Sequence, residues 1–201
     1  GANTFSNVHN SGYQTFCPRV NSDYATVVRT YSMHVPRTIT SPVTGGRVTF
    51  LELPEETDGE YLTFEITADP QVRGPPMHIH PKSAEQFEVR EGSLYVTIDG
   101  DCQVVGAHES VVVPARTPHS FRVGPAGVRA IGTVTPPGRF AEFLTTEYAL
   151  MHAGKLGEGT DGDLLAIAPW IREFRDVTRP VGPIRYLLRA LAPLGQALGY
   201  P

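Results

Sequence analysis

Between residues 26 and 135 the sequence alternates short apolar stretches with turn signals, and this pattern constrains the fold more than any other feature. Leu62, Phe64 and Ile66 alternate with polar residues, which is the period of a strand with one buried face. Asp99-Gly100 follows another such stretch and is a strong signal for a two-residue hairpin. Closely spaced short strands joined by turns are typical of an antiparallel barrel or sandwich. We therefore expect an all-β core.

The same alternation predicts which side chains of the later strands face inward. Glu85, Phe87 and Val89 share one parity, which should face the barrel interior, whereas Glu88 and Arg90 lie on the other face. Further strands are predicted at residues 94–98, 110–113, 120–123 and 127–134.

After Pro136 the apolar spacing changes from that of strands to that of helices. Asp163 is a good N-cap for the second of three predicted helices, in which Pro169 should cause a kink or a restart. A third apolar segment, residues 183–199, carries arginines and no acid. We divide the chain into an N-terminal arm (1–25), a barrel (26–138) and a C-terminal helical extension (139–201). The arm is either a loose segment or a strand added to a neighbouring subunit.

Composition restricts the partners of this chain. A formal net charge of −4 gives no reason to expect nucleic acid as a partner. Two cysteines far apart in the chain indicate no disulfide framework and favour a reducing compartment, so we expect a cytoplasmic protein. Because the first residue is Gly1, a removed signal peptide stays open as an alternative. Residues 183–199 could lie on a membrane surface, although covering the barrel or a subunit interface is the favoured interpretation.

Three histidines and one glutamate have the spacing of metal ligands. His78 and His80 are two residues apart and point to the same side of a strand. Glu85 follows after a bend, on the inward parity, and His119 comes from a separate strand after a proline-rich turn. Three imidazoles and one carboxylate suit a divalent transition metal, namely Mn, Fe, Co, Ni, Cu or Zn, and not Ca or Mg. In each histidine, the ring nitrogen that does not face the metal should donate a hydrogen bond to an acceptor that the sequence does not identify.

These residues form two motifs that resemble those of the cupin superfamily. His78-x-His80-x4-Glu85-x6-Gly92 is similar to the first motif, and Pro114-x-Arg116-x2-His119 is similar to the second. The resemblance implies a small antiparallel jelly-roll barrel (a double-stranded β-helix) with a helical extension. It implies one divalent metal bound by His78, His80, Glu85 and His119, and it favours a homodimer.

The second motif departs from the usual pattern at Arg116, where a glycine is common. Because an arginine disfavours a positive φ angle, we expect the turn at this position to take another shape. Arg116 near the barrel mouth could also bind an anionic substrate, although a solvated turn residue is the favoured interpretation. Residues that could line a pocket for a flat apolar molecule, or be plain core, are Met77, Phe87, Val89, Tyr95 and Phe121.

Two classes of function follow from these residues. The first is a metal-dependent enzyme acting on a small organic substrate, similar to the quercetinase-like dioxygenases, or a non-redox isomerase, cyclase or decarboxylase. The second is a non-catalytic module that binds a metal or a small ligand. One barrel hosts many activities, so the fold does not choose between them.

Overall fold

The computed structural model describes residues 35–159 and 161–200. The predicted N-terminal arm (1–25) and residues 26–34 of the predicted barrel lie outside the described residues. The strands are β1 (Thr38–Thr40), β2 (Arg47–Glu52), β3 (Leu62–Ala68), β4 (His78–Ile79), β5 (Ala84–Ile98), β6 (Asp101–Gly106), β7 (Ser110–Val113), β8 (His119–Thr135) and β9 (Arg179–Pro180). The helices are α1 (Phe140–His152), α2 (Leu164–Glu173) and α3 (Ile184–Ala197), with a short 3-10 helix at Pro54–Glu56.

The strands form one antiparallel sheet, which confirms the expected all-β core. The order along one path is β1-β2-β3-β8-β4-β9, and β5 pairs with β6, β7 and β8. The predicted hairpin at Asp99-Gly100 joins β5 to β6, with Ile98 opposite Asp101. One expectation was wrong: the strands predicted at 120–123 and 127–134 are a single strand, β8. Strand β5 is likewise continuous through Gly92.

Gly92 allows two long strands to pass close to each other. The pairing of β5 with β8 is irregular on both sides of this residue, between Val89 and Glu91 and between Gly92 and Leu94. Gly92 has a φ of 73°, and a Cβ atom there would lie 1.9 Å from the carbonyl oxygen of Gly127. Only glycine tolerates both conditions. The strands therefore bend here and bring their ends around the barrel interior.

The apolar side chains form two clusters that share the same sheet. One cluster lies within the barrel and is centred on Phe87, Val89 and Val96, each fully buried. The other fills the space between β1–β3 and the helices, and it includes Phe64 and Trp170. The inward parity predicted for β3 and β5 agrees with this burial, because Glu85, Phe87 and Val89 are all buried. The helical extension is thus packed on the barrel.

The extension is helical, as expected, and its details follow from local chemistry. The Asp163 carboxylate caps α2 by accepting a hydrogen bond from Leu165 N at 3.0 Å. The predicted restart at Pro169 does not occur, because α2 continues through it. A Cβ atom on Gly195 of α3 would lie 2.1 Å from Leu165 O, so α3 approaches this part of α2 closely.

The extension also contributes a strand, which the sequence did not predict. Strand β9 pairs with β4, with His78 opposite Pro180 and Ile79 opposite Arg179. Val181 N donates a further hydrogen bond to Met77 O at 2.9 Å.

In the described part of the chain, no helix is long and apolar enough to cross a membrane. Tyr186, Leu187 and Leu194 of α3, and Leu198 directly after the helix, are exposed.

Candidate metal centre

Three strands bring the four predicted ligands to one end of the barrel. His78 belongs to β4, and His80 is the first residue after that strand. Glu85 lies in β5. His119 is the first residue of β8 and pairs with His78 across the sheet. All four side chains are buried, with exposed fractions between 1% and 8%. Four polar side chains in such an interior require partners.

The ligand atoms of this cluster converge. His78 Nε2 lies 3.3 Å from His80 Nε2. Glu85 Oε2 lies 3.4 Å from His80 Nε2 and 3.3 Å from His119 Nε2. The three histidines each offer a ring nitrogen within 4.8 Å of the other two. An ion held at about 2.1 Å has neighbouring ligand atoms roughly 3.0–3.4 Å apart. The spacing of these groups therefore fits a single ion.

Hydrogen bonds fix which nitrogen of each ring faces the centre of the cluster. The Nδ1 atoms of His78, His80 and His119 lie 2.8, 2.8 and 2.9 Å from the carbonyl oxygens of Pro76, Val177 and Thr117, respectively. A carbonyl oxygen only accepts, so each Nδ1 carries the proton and donates it. Each Nε2 of a neutral ring then presents a lone pair, which is the form that binds a metal.

One nitrogen of the cluster has no hydrogen bond. His119 Nε2 is buried and, among the described residues, makes no hydrogen bond of acceptable geometry. It nevertheless lies 3.3 Å from Glu85 Oε2. A buried polar atom without a partner is costly, and a bound cation would satisfy it. The donor set and this unpaired nitrogen fit a divalent transition metal.

The electrostatics of the cluster favour a positive charge at its centre. Burial, reinforced by His80 and His119, lowers the pKa of His78 to about 3, so this ring is neutral at pH 7. Burial alone would raise the pKa of Glu85, but His119 and His80 together lower it to about 2. Burial also opposes a charge on His80, yet the Glu85 carboxylate outweighs it and raises the pKa of His80. Glu85 is therefore an ionised carboxylate that attracts a cation.

The turn that carries Arg116 corrects one expectation. Arg116 was expected to avoid a positive φ angle and so to give the turn another shape. Its φ is 67°, so this expectation was wrong. Its backbone N donates to His80 O at 2.8 Å, and its side-chain Nε donates to Pro81 O at 3.3 Å. These hydrogen bonds offset the cost of the left-handed conformation. The turn thus keeps the shape that a glycine would allow.

A cavity of about 500 Å³ joins the cluster to the helical extension. His78, His80 and Glu85 lie on its barrel side, and the opposite side is largely apolar and comes from α1 and α2. A volume of this size accommodates a small organic molecule. Within this wall Phe143 of α1 stacks on Trp170 of α2, with ring centroids 4.9 Å apart.

The residues predicted to line a pocket divide into two groups. Phe87 and Phe121 lie on the cavity wall. The other four are not among the residues of that wall. Val89 is fully buried in the barrel core, and Tyr95 is half-buried with the Arg122 guanidinium 4.9 Å from its ring centroid. Met77 is half-buried and Arg116 is exposed.

The sequence interpretation missed Glu147, which lies on the cavity wall. It follows Phe140 by seven residues and Leu144 by three, on the side of α1 that faces the cavity. Burial raises the pKa of Glu147 to about 7. An acid at helical spacing within an apolar face was the available signal.

Comparison with known proteins gives a family match over part of the chain. Residues 64–129 match the model of the cupin domain. This segment contains all four residues of the cluster. A probable oxidoreductase of Hypocrea virens, virH, is 36% identical over 77 residues, which cover 35% of this chain and 35% of that protein. The chain thus matches about a third of the length of this curated relative.

Solved structures show partial likeness to this chain. An RmlC-like cupin from Shewanella frigidimarina is 26% identical and covers 49% of this chain and 82% of its own, with a TM-score of 0.42. KdgF from Halomonas is 16% identical, and the match covers 46% of this chain and 79% of KdgF, with a TM-score of 0.42. Oxalate decarboxylase from Bacillus subtilis is 22% identical, and the match covers 50% of this chain and 28% of that protein, also with a TM-score of 0.42.

Proposed function

Because this chain contains a cupin domain, we propose that it is a metal-dependent enzyme that acts on a small organic substrate, with an oxygenase-like reaction as the favoured chemistry. The observation that supports this proposal is the convergence of three Nε2 lone pairs and one carboxylate on a common point. A large, mostly apolar cavity opens from the same point.

His78, His80, Glu85 and His119 would hold the metal. A redox-active divalent ion bound there would supply a site for activating a chelating enolate or dioxygen. The backbone carbonyls behind the histidines hold the rings in the orientation that the site needs.

The apolar wall has a separate role in this proposal. Apolar side chains from α1 and α2 line the cavity. Around a bound substrate they would exclude water, which strengthens electrostatic interactions there. The same surface favours a substrate that is mostly apolar, because few polar groups on the wall could pair with a polar one. We expect aromatic or β-dicarbonyl compounds that carry one ionisable oxygen.

Two alternatives compete with an oxygenase. A non-redox isomerase, cyclase or decarboxylase would need the same ligands and the same cavity. A non-catalytic binding module would need the cavity without turnover. The name of virH as a probable oxidoreductase favours redox chemistry, although the match covers only 77 residues.

The first experiment determines the metal. Elemental analysis of protein purified without added metal should find about one transition-metal ion per chain. Anomalous scattering from a crystal should place that ion among the four ligands. An anomalous peak elsewhere, or no affinity for any of the six candidate metals, would reject the proposed centre.

The second experiment determines the reaction. Oxygen uptake and product formation should be followed for flavonols, catechols and β-diketones with the metal-loaded protein. Consumption of oxygen with one of these classes supports the oxygenase. A product formed without oxygen uptake favours the non-redox enzyme, and binding without turnover by any metal form favours the binding module.

We also propose the homodimer that the resemblance favours. Light scattering on the full chain should give the mass of a dimer. The same measurement on a form without residues 1–25 tells whether the N-terminal arm takes part in the interface. A monomer at all concentrations of the full chain would reject this proposal.

A further inference from the structure

The helical extension places a carboxylate on the cavity wall where apolar side chains are expected. Glu147 lies in the middle of the inner face of α1, and its neighbours on that face are large and apolar. The cavity-lining residues of this face are Phe140, Phe143, Leu144, Tyr148 and Met151.

Glu147 has no protein partner in the described ranges 35–159 and 161–200. No hydrogen bond or ion pair of its carboxylate occurs there, and burial is the one cause of its raised pKa. Glu142, five residues earlier on the same helix, accepts a hydrogen bond from Arg139 Nε at 3.0 Å. Glu147 is half-buried. An acid held partly out of water with no protein partner costs stability, which makes it a candidate for a functional group of the cavity.

The state of Glu147 suits proton exchange near neutral pH. Burial raises the pKa of Glu147 to about 7, so both of its protonation states are populated under these conditions. The other charged or titratable residues on the cavity wall are Arg73, His78, His80, Glu85, Tyr148 and Glu158. Arg73 has its own carboxylate, since its Nε lies 3.7 Å from Glu158 Oε1.

From this geometry, and resting on the proposed function, we propose that Glu147 accepts the proton of an acidic hydroxyl of the substrate. The O–H bond of a phenol or enol breaks, its electron pair stays on the substrate oxygen, and a new O–H bond forms on Glu147. The substrate becomes an oxyanion and Glu147 becomes a neutral acid, so charge and atoms balance. The proton then passes to the product or to water. The substrate class is an apolar molecule with an enolic or phenolic hydroxyl.

The first test is made on the protein without substrate, and its outcome does not depend on turnover. Infrared difference spectra of the wild type should show a carboxylic acid band that disappears as the pH rises through about 7. Glu147→Gln should lack this band, and the control Glu142→Gln should keep it. A band that persists in Glu147→Gln, or a wild type without one, overturns the proposal.

The second test measures recognition of the hydroxyl. Trp170 is the single tryptophan of the chain and lies on the cavity wall, so quenching of its fluorescence reports binding. The probes are 3-hydroxyflavone and flavone, which differ by one hydroxyl group. Glu147→Gln should weaken binding of 3-hydroxyflavone about tenfold to a hundredfold and leave flavone unchanged. The proposal is contradicted if Glu147→Gln weakens binding of both probes equally, or if it weakens binding of neither.

The third test separates this inference from the proposed function. With any substrate that turns over, Glu147→Gln should lower kcat about a hundredfold or more, remove the rise in kcat near pH 7 and leave the metal content unchanged. Glu142→Gln should behave as the wild type. If Glu147→Gln has the same kcat and pH profile as the wild type, the role of Glu147 is overturned and the enzyme proposal stands. If the wild type turns over nothing, the proposed function fails and the infrared and binding tests still decide the role of Glu147.

Discussion

The barrel and the helical extension each place one carboxylate on the wall of the same cavity, and the two differ in their neighbours. Glu85, from the barrel, lies within 3.4 Å of two imidazole nitrogens, which lower its pKa to about 2 despite its burial. Glu147, from the extension, has apolar neighbours on its helix face, and burial raises its pKa to about 7. The residue type is identical, so the surroundings alone decide whether each carboxylate is charged at neutral pH.

The difference assigns separate tasks to the two regions. A carboxylate that stays charged at all working pH values suits cation binding, whereas one that gains and loses a proton suits proton transfer. The two regions also depend on each other, because the carbonyl of Val177 in the extension accepts the hydrogen bond from His80 Nδ1.

The largest effect is expected from removing a ligand on the barrel side. His80→Ala or Glu85→Ala should lower metal affinity by more than the roughly 10–100-fold that loss of an outer hydrogen-bond partner costs. Metal content after dialysis, measured by elemental analysis, checks this. Glu88→Ala is the matched control, because Glu88 lies on the outer face and pairs with Arg90 at 2.9 Å. Unchanged metal content in both ligand variants would contradict the assignment.

A large effect on stability is expected from the packing of the extension. Trp170→Ala should lower the free energy of unfolding by about 3–5 kcal/mol, because a buried aromatic side chain is lost. It should also weaken metal binding, since α2 leads to the Val177 carbonyl behind His80. Leu194→Ala is the control, with a change within about 0.5 kcal/mol, because Leu194 is 51% exposed. Denaturant unfolding with and without metal measures both effects.

Glu147 should make stability depend on pH in an unusual direction. Its native pKa lies at about 7, above the ordinary value of 4.5, so the native state holds the extra proton between these values. The contribution of Glu147 to the free energy of unfolding therefore falls as the pH rises from about 4.5 to about 7, by up to about 3 kcal/mol. Glu147→Gln should remove this fall. The difference between the unfolding free energies of variant and wild type, measured from pH 4.5 to 8, isolates it. A difference that stays flat across this window would refute the expectation.

The smallest effect is expected at the turn that carries Arg116. Arg116→Gly should change the free energy of unfolding by less than about 1 kcal/mol, since relief of the left-handed conformation is offset by a more flexible unfolded chain. Arg116→Val should be less stable than the glycine variant by about 1–2 kcal/mol, because a β-branched residue tolerates a positive φ poorly. Thermal unfolding of both variants measures this difference. Equal stability would show that the turn changes shape when its residue changes.

The sequence predicted the features that depend on nearby residues. Strand alternation predicted the β core, and helical spacing predicted α1 from Phe140 onward. The spacing of His78, His80, Glu85 and His119 predicted that they would meet, and they do. The pairing of β9 with β4 and the hydrogen bond from His80 to Val177 were not predicted. His80 and Val177 are 97 residues apart, and a backbone carbonyl carries no signal in the residue type.

What the sequence determined by itself is the set of groups and their local direction. Side-chain parity within a strand and periodicity within a helix are properties of the backbone, so they can be derived from residue order alone. The tertiary structure decided how strongly each group holds its proton. Glu85 and Glu147 differ because packing surrounds one with imidazoles and the other with apolar side chains, and a pKa responds to neighbours in space.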